Sequence, residues 1–143
     1  TEFDNNEVIF FIGSNLINAG VISSVSVYLT MLRKTFANFR DFKIVYLLHR
    51  HENPEILKIL KVDFDIEIVS FVEPIEIVFS SLRLTNKKLV SFYSTALFTL
   101  NKLVDCDVLM IKIPEKYLVD KYLDTTLRVQ DYYSVFFKSL AIE

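Results

Sequence analysis

The sequence predicts an α/β domain of three layers, a parallel sheet with helices on both faces. Three observations predict it. Five short apolar runs recur along the chain, each nearly continuous in hydrophobicity, as strands covered on both faces are. Segments with helical spacing lie between them. The steady alternation of the two calls for parallel strands joined by right-handed crossovers.

The predicted strands are VIFFI at 8 to 12, KIVYLL at 43 to 48, IEIV at 66 to 69, KLVSF at 88 to 92 and DVLMIKI at 107 to 113. Tyr28, Leu29, Leu32 and Phe36 mark one face of a helix from about 24 to 38, and Ile56, Leu57, Ile59 and Leu60 mark a shorter one. Pro74 opens a third helix, where a missing amide proton costs nothing. Ala96, Leu97, Leu100 and Leu103 line a fourth. In the tail, Tyr132, Tyr133, Phe136, Phe137 and Leu140 also fall at helical spacing. That aromatic stripe fits packing on its own sheet and fits a partner or second domain equally well.

A chain of 143 residues is one domain of ordinary size with a real core. The net charge of -2 predicts no nucleic-acid partner, which needs a strongly basic face. Cys106 is the only cysteine, so no disulfide forms within the chain, as fits a reducing cytoplasm. Residues 1 to 7 are polar and acidic, unlike a secretion signal. The apolar runs are far shorter than the roughly 20 residues that cross a bilayer. These features predict a cytoplasmic protein, soluble or at most membrane-peripheral. The start at Thr1 fits a piece of a longer chain.

In open parallel sheets ligands bind beyond the carboxyl ends of the strands, which directs attention to four loops. After the first strand, FIGSNLINAG holds both glycines of a chain whose length would ordinarily carry about ten. Gly13 permits a tight turn at the strand end and Gly20 can take a positive φ before the next helix. Together they read as the floor of a cavity, or simply as a tight strand-to-helix connection. Neither a G-x-G-x-x-G fingerprint nor a P-loop lysine is present.

HRHEN at 49 to 53 gathers both histidines, Arg50 and Glu52 at one strand end. Such donors suit a phosphate, and a histidine can assist a leaving oxygen. The rivals are a solvated polar loop and a metal site of His49, His51 and Glu52, which lacks a further ligand at a known spacing. Ser94 and Thr95 stand before the fourth helix, where hydroxyls and amide protons hold an anion or merely cap the helix. Glu73 and Glu76 flank Pro74 and complement a helix dipole, or accept hydrogen bonds from a ribose.

Taken in order, FIG-x-x-L-x-x-x-G-x-I, YLLHRHEN, EPIE and VSFYSTALFTL resemble the donor-binding half of the bacterial lipooligosaccharide sialyltransferases and polysialyltransferases, over roughly residues 8 to 104. The resemblance implies a Rossmann-like domain equivalent to the C-terminal half of a two-domain GT-B glycosyltransferase. The donor substrate would be CMP-sialic acid, with no separate cofactor and no metal, and the product a surface glycan such as lipooligosaccharide or capsule. By resemblance His49 contacts the CMP phosphate and assists its departure, Ser94 and Thr95 grip that phosphate, Glu76 bonds the ribose, and Gly13, Ser14, Asn15 and Arg50 line the donor pocket. Arg50 stands where many members carry proline, with the nearest proline at Pro54. The family's general base belongs to an N-terminal domain that also meets the glycan acceptor, and this chain does not include it. An alternative from another class is a non-catalytic domain that dimerises through its aromatic tail.

Overall fold

A computed structural model of the chain describes residues 8–49, 51–70, 74, 77, 88–94, 96–103 and 107–143. Arg50, Glu73, Glu76, Thr95 and Cys106 lie outside the described residues, as does most of the helix expected after Pro74. Six strands form one all-parallel sheet: β1 (Val8–Ile12), β2 (Lys43–Leu47), β3 (Glu67–Val69), β4 (Lys88–Ser91), β5 (Asp107–Lys112) and β6 (Lys138–Ala141). The described helices are α1 (Val25–Phe36), α2 (Pro54–Asp63), α3 (Ala96–Leu103) and α4 (Leu123–Ser134).

The strand order is β3-β2-β1-β4-β5-β6. From β1 the chain winds outward through β2 to β3, then returns to β4 on the other side of β1 and winds outward again. The reversal therefore falls between β1 and β4, and there the loops at the carboxyl ends part to leave a crevice. This is the doubly wound, Rossmann-like arrangement.

Why the strands read as continuous apolar runs is plain from β1, whose five residues are all buried. Ile9 and Phe11 point to one face, where with Ile44 and Tyr46 they meet Leu29 and Leu32 of α1 and Ile56 and Leu60 of α2. Val8, Phe10 and Ile12 point to the other, where with Val45 and Leu47 they meet Leu97 and Leu100 of α3 and Tyr133. Both faces of β1 are covered, so none of its positions can be polar without cost.

The first two helices each begin at a residue whose side chain caps them. Ser24 has extended dihedrals and its Oγ accepts from Val27 N at 3.3 Å. Asn53 does the same for α2, accepting from Glu55 N at 2.9 Å, with Pro54 in the first turn.

The tail differs from its expected helix. α4 ends at Ser134, and residues 138 to 141 form β6 with Leu140 beside Ile111 of β5. Leu140 is thus a strand residue, and its helical spacing from Phe136 is incidental. Pairing along β5 supplies these residues with a ladder of hydrogen bonds, a tertiary term that local spacing does not reveal. No described helix is long and apolar enough to cross a membrane.

Candidate functional site

At the reversal point a cavity of about 660 Å³ opens, a volume typical of small-molecule sites. Its lining at the strand ends includes Gly13, Ser14 and Asn15 after β1, His49 after β2 and Ser94 after β4. Three loops named from the sequence therefore meet in one place. Arg50, Glu76 and Thr95 fall outside the described residues.

Gly13 continues the ladder, its N–H donating to Leu47 O at 2.9 Å. Its lack of a side chain has a local cause. A β-carbon there would press on the Glu52 carboxylate and lie 2.7 Å from the Tyr46 hydroxyl. Gly20 has φ +81°, in the left-handed region where glycine alone is unstrained, as expected. Just after Gly20, Val21 N and Ile22 N both donate to Leu16 O, at 3.0 and 3.2 Å, folding the loop back on itself before α1. The Ser14 hydroxyl lies near enough to Tyr28 to ease its ionisation, yet it is buried and forms no well-aligned hydrogen bond among the described residues.

The His49 loop is braced from below. His49 N donates to Glu52 Oε1 at 2.9 Å, and Tyr46 donates to Glu52 Oε2 while its own oxygen pairs with the Tyr28 hydroxyl at 2.7 Å. Tyr28 and Tyr46 are fully buried and Glu52 is only 9% exposed. Burial pushes the Glu52 carboxyl up to about 7, against the opposing pull of Tyr46 and the His49 amide. It also drives both tyrosine hydroxyls above their ordinary range. The Asn18 side chain donates to His51 O at 2.8 Å and ties this loop to the first.

This bracing defines the imidazole. His51 N donates to His49 Nδ1 at 3.0 Å. A ring nitrogen that accepts a hydrogen bond carries no proton, so neutral His49 holds its proton on Nε2. His49 is built as a hydrogen-bond donor of fixed tautomer.

The same network engages one residue of the metal rival, since both Glu52 oxygens are taken, by Tyr46 and by the His49 amide. Among the described residues no group of three or more His, Cys, Asp or Glu is arranged to hold a metal ion.

Ser94 does what a helix cap does. Its Oγ accepts from Ala96 N at 3.2 Å and its carbonyl from Leu97 N at 3.0 Å, so the capping reading is correct for this residue. It lines the cavity as well, and a hydroxyl that accepts from the backbone still has its own proton to donate.

Tyr93, in the loop before α3 to which the sequence pointed, adds to the lining, while the wall that α4 supplies through Arg128, Val129, Tyr132 and Tyr133 went unseen in the sequence. Gln130 explains their position. Its Oε1 accepts from Ile113 N at 2.7 Å and its Nε2 donates to Ile113 O at 3.3 Å, bracketing the backbone of one residue just past β5. The aromatic stripe divides accordingly. Tyr133 and Phe137 are buried on their own sheet, each with its ring centroid 4.8 Å from that of Phe98, while Tyr132 and Phe136 remain 60% and 55% exposed. The one available signal was the pair Arg128 and Tyr132, a cation and an aromatic one helical turn apart.

Compared with known proteins, the chain matches no family model, no curated protein and no solved structure.

Proposed function

We propose that this chain is the nucleotide-donor domain of a sialyltransferase-like GT-B glycosyltransferase, and that its cavity holds the CMP portion of CMP-sialic acid. The observation that carries the reading is the convergence of Gly13–Asn15, His49 and Ser94 on one cavity at the sheet's reversal point.

The chemistry follows from what these groups offer. Transfer from a CMP-sugar breaks the bond between the anomeric carbon and the phosphate oxygen, and negative charge grows on that phosphate as it leaves. Nε2–H of His49 and the Ser94 hydroxyl are donors held in place before the reaction starts, which is the condition under which such donors lower a barrier. His49 acts here by hydrogen bonding to the departing oxyanion. Deprotonation of the acceptor hydroxyl requires a base from elsewhere in the full enzyme, so this chain binds donor and transfers little.

Calorimetric titration of CMP into the purified chain tests the reading. Saturable binding at or below millimolar nucleotide is the expected result. No heat of binding at that concentration, with the circular dichroism spectrum of a folded chain, overturns it.

A second reading, a non-catalytic domain that pairs with another copy, draws on the exposure of Tyr132, Val135 and Phe136 at the end of α4. Light scattering across a concentration series separates the two: a dimer without nucleotide affinity favours the second.

A further inference from the structure

The strand-end donors account for one oxyanion and leave a charged residue of the cavity without a role. Arg128 is the one Lys or Arg among the described residues that line it. It is exposed, and no acidic side chain among the described residues pairs with it. Its helix is held firmly, since Gln130, two residues on, brackets Ile113 through both of its amide atoms. Tyr132, one turn further along, lines the same cavity. A guanidinium without a partner, on a helix fixed over a cavity, presents a planar fork that matches a carboxylate or phosphate through two parallel hydrogen bonds.

Resting on the donor reading above, we infer that Arg128 pairs with a second oxyanion of the ligand, the carboxylate of an acidic sugar. The cavity then selects nucleotide donors that carry a phosphate for His49 and Ser94 and a carboxylate for the α4 wall. Donors of neutral sugars satisfy the first contact only. Arg128 is in this sense a specificity-determining residue.

The test compares the full chain with Arg128→Met, which keeps the apolar stem and removes the fork, using three probes in calorimetry: CMP, CMP-N-acetylneuraminate and free N-acetylneuraminate. Arg128 is exposed, so the variant should melt with the wild type. The expected result is a loss of at least about 10-fold for CMP-N-acetylneuraminate and less than about 3-fold for CMP, the difference one charged hydrogen-bonding pair makes. Equal losses for both nucleotides overturn the inference, because Arg128 then serves the phosphate. No loss for either overturns it as well. If the wild type binds free N-acetylneuraminate in an Arg128-dependent way but not CMP, the carboxylate subsite stands while the nucleotide reading falls. If the wild type binds none of the three, both fall.

Discussion

The Glu52 carboxylate occupies the space that a side chain on Gly13 would need, and Tyr46 closes the same space with its hydroxyl 2.7 Å and its Cε1 2.9 Å from the β-carbon position. The glycine and the acid are thus two halves of one packing solution. Gly13→Ala is expected to cost about 1–3 kcal/mol, the usual penalty for overfilling a packed site, because Tyr46 is fully buried and Glu52 is pinned at both oxygens. Removing the acid from the variant, as Gly13→Ala/Glu52→Ala, should recover part of that loss relative to Glu52→Ala alone. Urea denaturation of the four proteins measures it. Strictly additive losses would mean that the two residues do not meet.

Ionisation of Glu52 couples the fold to pH. Burial raises its carboxyl from 4.5 to about 7, so between those values the folded chain keeps a proton that the unfolded chain has released. The stability this group contributes is complete below about pH 4.5 and declines as pH rises to about 7. The decline amounts to roughly 3 kcal/mol at 1.36 kcal/mol per pH unit. Glu52→Gln should flatten this slope. Glutamine can accept from His49 N and donate to Tyr46, whose proton then turns to Tyr28, so the variant keeps the network satisfied. Denaturant melts at half-unit steps from pH 4.5 to 7.5 decide the matter, and parallel slopes for the two proteins would contradict it.

These two effects show where the sequence was legible and where it was not. VIFFI and KIVYLL announce buried parallel strands because both of their faces must be covered, and the spacing of Tyr28, Leu29 and Leu32 announces α1 because one helical face must meet the sheet. Those are local patterns with a single solution. Glu52 was legible as a polar loop residue or a metal ligand, not as a buried brace: nothing in HRHEN distinguishes a carboxylate facing water from one facing Tyr46. That orientation depends on how β2 and the next loop sit against Gly13, contacts made across the fold. Arg128 and Tyr132 were hidden for the same reason. Their part in the cavity depends on Gln130 reaching Ile113, and a helix stripe read along the chain does not say which end of the sheet it will cover. β6 shows the reverse failure, a helical spacing overridden by the open edge of β5.

His49 offers a sharper test of the donor reading than Ser94. Ser94→Ala removes a helix cap as well as a hydroxyl, so about 1 kcal/mol of stability should go with it. His49→Ala leaves the brace intact, because it is the main-chain N–H of His49 that binds Glu52. It should lower CMP affinity roughly 10-fold or more, the worth of one hydrogen bond to a charged group, with little change in Tm. Asn15 and Ser14 remain to hold ligand, so binding should weaken rather than vanish. Unchanged affinity in His49→Ala would remove the imidazole from the site.

The bracket from Gln130 to Ile113 makes the α4 wall dependent on one amide. Gln130 is 2% exposed, and both of its polar ends are committed to the backbone of a single residue. Gln130→Leu fills the same volume but leaves a buried N–H and a buried carbonyl unpaired, at about 1–3 kcal/mol for each group that water does not reach. Gln130→Glu keeps the bond from Ile113 N but sets a carboxylate oxygen against the Ile113 carbonyl, two acceptors with no proton between them until the acid is protonated. Its stability should therefore improve as pH falls below neutrality, while that of Gln130→Leu should not respond at this position. Ligand binding should weaken in both, since Arg128 and Tyr132 are positioned through this contact. Hydrogen exchange at the Ile113 amide, slow in the wild type and fast in Gln130→Leu, reports the bracket directly. Equal protection in the two proteins would show that α4 is held over the cavity by its buried aromatic residues instead.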